Sequence, residues 1–377
     1  MLCESKAEEF MLMKVPLTRI RISYFLFIAL LITAAASARQ NAAQMPPQAQ
    51  QNSTPTQAHS NKMYLDVVVS QKSGSPVAGL QQQDFTLLDN KSPQTITSFK
   101  EIAGRQAPIN VVLVIDAVNV DARTIAYERE QIGKFLSSEG GQLAYPTVLS
   151  VFTETGIQIS GDFTNDGNAL KSELDSDKIG LRPVGGAAGF YGATERLQLS
   201  LTALRQFTAR EGVRPGRNVM IWISPGWPIL SGPNVELDSK QKQQIFTDIV
   251  DMSNRLAQAR VTLYEVNPLG ASESQFRGSY YEVFLKPVTK PDQVNLGNLA
   301  LQVLSIQSGG RAFDFNNDIP GLLQKCFTDI APYYEISFVP AAPERPGEYH
   351  SLEVKVSKSG LTARTHRGYY VQPAQHD

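Results

Sequence analysis

The feature that most constrains the fold is a series of apolar strands that alternate with helical patterns between residues 107 and 331. The stretch INVVLVID (109–116) is apolar almost to its last residue, and NVMIWIS (218–224) and RVTLYEV (260–266) have the same character. Between strands, the clearest helical stripe consists of Ile245, Ile249, Met252 and Leu256. This alternation predicts an α/β fold with a doubly wound, mostly parallel sheet covered on both faces. GIQISGDF (156–163) follows the preceding strand so closely that we predict one antiparallel edge strand.

Short alternating strands precede and follow this region. YLDVVVSQ and QTITSF lie within residues 63–101, and YYEISFVP and HSLEVKVSK lie within residues 332–372. Each group has about three strands and too little core to fold independently. We therefore expect the two groups to pair into one small all-β unit that is discontinuous in the chain.

The first residues have the pattern of an export signal. Within residues 1–38, basic side chains precede the apolar stretch ISYFLFIALLITAAA, and the segment ends on the small residues Ala36, Ser37 and Ala38. Residues 39–62 are rich in Gln, Ala, Pro, Ser and Asn, which is typical of a flexible linker. We expect an exported protein, periplasmic or secreted, that contacts a membrane only if the signal segment stays uncleaved.

The charge balance argues against a polyanionic partner. The 377 residues carry 35 basic and 36 acidic side chains, which gives a formal net charge of −1. Proteins that bind nucleic acid concentrate positive charge on one face. We therefore predict no nucleic-acid partner.

Six stretches of the chain carry a resemblance to a known family: VVLVIDAVNVDA, FTNDGNAL, PGRNVMIWISPGWP, ARVTLYEVNPLG, GGRAFDFNND and YYEISFVP. With these stretches, the order of the elements resembles the von Willebrand factor type A (VWA) fold, and residues 63–371 are similar to the VWFA-related proteins of the Acidobacteria. The resemblance implies a VWA-like domain at residues 107–331. It also implies a ligand site beyond the carboxyl ends of the strands, where this fold has its metal-ion-dependent adhesion site.

The adhesion-site pattern is incomplete in this sequence. Asp116 matches the aspartate of the family's Asp-x-Ser-x-Ser motif. At four positions the family pattern has an oxygen ligand and this chain has none: Val118, Val120, Ala187 or Ala188, and Pro225. Mg²⁺ requires near-octahedral oxygen ligation. We therefore predict a degenerate site that holds no metal and needs no cofactor.

The predicted rim of this degenerate site consists of Asp116, Asn119, Asp121, Phe190, Tyr191, Ser224 and Trp227. Asn119 and Asp121 either lend oxygens to a cation or end the strand and cap the next helix. The aromatic residues, expected in loops, either bind a partner or fill the space left by the metal. We expect backbone N–H groups, with the Asn119 amide or the Ser224 hydroxyl, to satisfy the Asp116 carboxylate.

Signatures of common enzymes are missing from the sequence. It has no G-x-S-x-G, H-E-x-x-H or Walker motif, and its four histidines lie outside the α/β region. We predict an exported, non-enzymatic binding module whose partner is an unknown protein or envelope component. One alternative is a divalent-metal-dependent adhesion domain that uses Asp116, Asn119 and Asp121. A further alternative is a hydrolase with an unrecognised site.

Overall fold

The computed structural model describes most of the chain after the linker. The described residues are 62–104, 107–176, 189–212, 214–228, 236–270, 280–314, 316–341, 345 and 347–371. The predicted signal peptide and the linker up to residue 61 lie outside the described residues. Within the described part, no helix is long and apolar enough to cross a membrane.

A six-stranded sheet forms the centre of the α/β part, with the strand order β10-β9-β8-β5-β6-β7. Its strands are β5 (Ile109–Asp116), β6 (Gln142–Thr153), β7 (Gly156–Asp166), β8 (Arg217–Ile223), β9 (Val261–Val266) and β10 (Ala312–Phe313). Neighbouring strands are parallel except β6 and β7, which are antiparallel at one edge. A mostly parallel sheet with one antiparallel edge strand is thus confirmed.

Helices cover both faces of this sheet, which explains why its strands are apolar on both sides. The described helices are α1 (Ala122–Leu136), α2 (Gly167–Asp175), α3 (Gly189–Glu211), α4 (Ser239–Gln258), α5 (Leu301–Gln307) and α6 (Ile319–Ile330). Helices α1, α2 and α6 pack on one face, and α3, α4 and α5 pack on the other. Four of the helices begin after an aspartate whose side chain accepts a backbone N–H: Asp121, Asp166, Asp238 and Asp318.

The remaining strands form two four-stranded sheets, with the orders β13-β1-β11-β4 and β14-β12-β2-β3. These strands are β1 (Met63–Gln71), β2 (Phe85–Asp89), β3 (Ser92–Gln94), β4 (Ser98–Ile102), β11 (Tyr333–Phe338), β12 (Tyr349–Val356), β13 (Leu361–Arg364) and β14 (Gly368–Tyr370). Each sheet combines strands from before and after the α/β part. The segment before it and the segment after it contribute four strands each, where the sequence predicts about three. The division into domains at 63–101, 107–331 and 332–372 stays a proposal.

Arginine side chains connect the antiparallel sheets to the α/β part. Arg260, between α4 and β9, forms ion pairs with Asp66 of β1 and, at 2.7 Å, with Glu335 of β11. Arg364 of β13 forms an ion pair with Asp329 of α6. Each pair therefore joins a strand of the antiparallel sheets to the α/β part.

Candidate functional site

The candidate site lies where the strand order of the six-stranded sheet reverses. From β5 the chain continues to β6 on one side, whereas β8, β9 and β10 are added on the other side. Ligands of open α/β sheets bind beyond the carboxyl ends of the strands at such a reversal. Asp116 is the last residue of β5, and Ser224 directly follows β8, so both lie at this edge.

Hydrogen-bond donors surround the Asp116 carboxylate. Its Oδ1 accepts from the backbone N–H groups of Val118 and Asn119, each at 2.9 Å. Its Oδ2 accepts from the Asn119 side-chain amide at 2.8 Å and from the Trp222 indole N–H at 3.2 Å. The Ser224 hydroxyl is close enough to this carboxyl group to lower its pKa. The loop after β5 and the end of β8 are therefore joined through a single carboxylate.

Burial and hydrogen bonding have opposite effects on the charge of Asp116. The side chain is 0% exposed, and burial raises the pKa of its carboxyl above the ordinary value. The hydrogen bonds from Asn119 and Val118, together with the nearby Ser224 hydroxyl, lower that pKa and offset part of the effect. The donors thus stabilise the ionised carboxylate, as a cation does at a metal site.

Two tryptophans fill the space next to Asp116. Trp222, whose indole N–H donates to the carboxylate, packs edge-to-face against Phe152 and against Trp227, with 5.3 Å between ring centroids in both pairs. Trp227 is only 2% exposed, and its buried indole N–H has no partner among the described residues. Trp227 is therefore part of the core beside the site.

The other predicted rim residues have separate positions. The Asp121 side chain accepts the Thr124 backbone N–H at 2.8 Å and caps α1; this bond lowers the pKa of the Asp121 carboxyl. Asp121 is thus a cap, with no hydrogen bond to Asp116. Phe190 and Tyr191, which we expected in a loop, belong to the first turn of α3. Their side chains, and Ala187 and Ala188, lie outside the described residues.

The donor set does not fit a divalent cation. Val118, Val120 and Pro225 offer no side-chain oxygen, and the Asp116 oxygens already accept hydrogen bonds from protein donors. Over the described ranges, no group of three or more His, Cys, Asp and Glu side chains is placed to hold a metal ion. A near-octahedral Mg²⁺ site would need several oxygens that these positions do not supply.

Glu128 is a buried acid that the sequence reasoning missed. It lies on the inward face of α1, is 0% exposed, and neither carboxyl oxygen has a hydrogen-bond partner among the described residues. Burial raises its pKa well above the ordinary value, and the charge of Asp116 raises it further. The signal was its helical spacing from Ile125 and Ile132, which places it in the same inward stripe.

A second buried acid, Glu265, also escaped the sequence reasoning, although it interrupts the apolar strand β9. Its carboxyl group accepts the Phe313 backbone N–H at 3.2 Å and the Gln302 side-chain amide at 3.4 Å. Burial raises the pKa of Glu265 well above its ordinary value, and nearby Asp314 adds to the shift. Asp314 in turn accepts a hydrogen bond from the Asn267 side chain at 2.8 Å. Glu265 in β9 and Asp314 after β10 are therefore neighbouring acids whose pKa values burial raises.

Comparison with known proteins identifies no family for this chain. No protein-family model and no curated protein matches it. Similar solved structures include the pilus adhesin SpaC from Lactobacillus rhamnosus GG, with 11% identity and a TM-score of 0.34 over 81% of this chain and 42% of that chain. The PilB minor pilin from Streptococcus sanguinis has 10% identity and a TM-score of 0.33 over 59% of this chain and 60% of that chain.

The human COPII-coat protein Sec24c has 10% identity and a TM-score of 0.32 over 72% of this chain and 44% of that chain. The chain therefore spans less than two thirds of each of these three structures. Likenesses at this level assign neither a fold family nor a function.

Proposed function

We propose that this protein is an exported, non-enzymatic binding module whose α/β part is a VWA-like domain that works without a metal ion. The observation that carries the proposal is the hydrogen bonding of Asp116, because each carboxylate oxygen accepts two protein N–H groups. A cation at Oδ2 would displace the Asn119 amide or the Trp222 indole. We infer that protein donors have taken the place of the metal.

The topology of the sheet supports the VWA-like part of the proposal. The acid that matches the family motif lies at the end of β5, at the reversal of strand order, with Ser224 opposite it. The export part rests on the pattern of residues 1–38, and the partner class rests on the near-neutral charge. We propose a protein or envelope component as the partner.

In this proposal Asp116 has a structural role in binding. Asp116 and Ser224 are both 0% exposed, so a partner reaches neither of them directly. The hydrogen bonds of Asp116 instead hold the loop after β5 and the end of β8 in one arrangement. A rigid surface of this kind lowers the entropy cost of binding a partner.

The experiment is co-sedimentation of the purified protein with the cell-envelope fraction of the native host, in EDTA or in millimolar Mg²⁺. We expect the same bound fraction in both buffers. Binding that requires Mg²⁺ and is lost in Asp116→Ala would support the metal-dependent alternative with Asp116, Asn119 and Asp121. No binding in either buffer would contradict a role as an envelope-binding module.

A further inference from the structure

An open groove of about 470 Å³ lies between β12 and β13, away from the Asp116 site. Its apolar lining consists of Leu352, Val354, Val356, Leu361 and Ala363. Strand β12 is an inner strand of its sheet, whereas β13 is the edge strand of the other sheet. The groove is therefore the opening between the two antiparallel sheets along one of their sides.

In the described part of the chain, β13 has a paired strand on one side only. Residues Leu361–Arg364 pair with β1 alone, from Leu361 opposite Gln71 to Arg364 opposite Val68. No other strand among the described residues pairs with β13. An unpaired edge presents backbone N–H and C=O groups that an extended peptide can satisfy.

The polar lining of the groove is mainly basic. Lys355, Arg364 and Arg367 line it together with one acid, Glu353. Lys355 Nζ lies 3.7 Å from Glu353 Oε1, and both side chains are 58% exposed. The two charges therefore neutralise each other only weakly. Arg364 already has Asp329 as its partner. The exposed Arg367 forms no ion pair with any described acid, so its charge is available to a ligand.

Thr365 supplies an independent sign that a ligand group is missing. It lines the groove and is 7% exposed, yet its buried hydroxyl has no hydrogen-bond partner in the described part of the chain. Leaving a buried hydroxyl unsatisfied is unfavourable. A polar group of a bound peptide at this end of the groove would satisfy it.

We propose that this groove binds an extended peptide segment of a protein partner that adds as a strand to the free edge of β13 and places an acidic side chain against Arg367. Alternate apolar side chains of that segment lie on Leu352 and Val354, because the side chains of a strand project to opposite faces in turn. The inference rests on the proposed function, since it names the partner class of the same binding module.

The test is selection of a phage-displayed library of random ten-residue peptides on the purified protein, followed by affinity measurement with synthetic copies. We expect enriched peptides to combine an acidic residue with alternating apolar residues. Arg367→Glu should weaken their binding by about tenfold or more, because one charge-assisted contact becomes repulsive. Thr365→Val should weaken it less and leave the melting temperature unchanged or higher. Hydrogen exchange should show new protection at Leu361–Arg364.

Lys100→Glu is the matched control, since it makes the same charge change on β4, at the opposite edge of the same sheet. It should leave peptide affinity unchanged. Three results would overturn the inference: no enrichment of peptides, binding that Arg367→Glu does not change, or protection confined to other strands. Those results would leave envelope binding intact, so failure here is distinguishable from failure of the proposed function.

Discussion

The buried acid Glu128 allows a stability effect to be predicted from the structure. Both of its carboxyl oxygens lack partners among the described residues, and the side chain is 0% exposed. An unsatisfied buried polar group costs about 1–3 kcal/mol. Methionine has a similar length and no polar group that requires a partner. Glu128→Met should therefore raise the free energy of unfolding at pH 7 by about 1–3 kcal/mol.

The same residue should make stability depend on pH. Burial raises the pKa of Glu128 well above its ordinary value, so the folded protein holds the proton more tightly than the unfolded chain does. Its contribution to stability is fully present below about pH 4.3, the pKa of an unperturbed glutamate, and is lost as the pH rises through the folded pKa. Asp116 and Glu265 add to the loss in the same direction, since burial raises the pKa of both.

Urea unfolding followed by circular dichroism at pH 5 and pH 8 measures both effects. Glu128→Gln cannot ionise, so its stability should fall less between the two pH values than that of the wild type. Glu130→Gln, on the same helix with a side chain 63% exposed, should stay within about 0.5 kcal/mol of the wild type. A Glu128→Met protein that is less stable than the wild type would refute the reasoning, as would an unchanged pH dependence in Glu128→Gln.

Three further predictions follow from the site and the strand pairing. Asp116→Ala removes the acceptor of four N–H groups, so it should lower the free energy of unfolding by about 1–3 kcal/mol. Urea titration measures this change, and an unchanged value would mean that the hydrogen-bond network contributes nothing to stability. Truncation after Pro332 removes β11 from between β1 and β4, so the fragment should lose solubility through exposed strand edges; a soluble fragment with a cooperative melt would contradict this. If the protein is exported as proposed, mass spectrometry of the mature chain should find an N-terminus immediately after Ala38. A chain that keeps residues 1–38 would show that the segment is an anchor.

The sequence predicts strands and helices well where apolar residues recur at one regular spacing. The apolar run that ends in Asp116 is a central strand, and Asp121 caps the helix after it. Spacing alone does not say where an aromatic side chain points, so the sequence leaves open whether Trp227 binds a partner or fills space at the site. In the structure it packs against Trp222 in the core. Trp222 was unpredictable as a donor, because an indole within an apolar strand is indistinguishable from core packing.

Two other features depend on contacts that are distant in the chain. In the sequence, Glu265 is a single acidic residue within an apolar strand, and nothing nearby indicates its role. Its burial follows from packing with α5 and with the residues around β10. The groove between β12 and β13 exists because each of the two antiparallel sheets combines strands from both ends of the chain. Local sequence patterns predict that the two groups of strands pair, but they do not specify which strands become neighbours.

The melting temperature of the protein as a function of Mg²⁺ or Mn²⁺ concentration tests the central claim most directly. A ligand stabilises only a state that it binds, and the Asp116 oxygens already accept hydrogen bonds from Val118, Asn119 and Trp222. We predict that millimolar Mg²⁺ or Mn²⁺ leaves the melting temperature of the wild type unchanged. A rise of several degrees that disappears in Asp116→Ala would contradict the account and restore a metal site at Asp116.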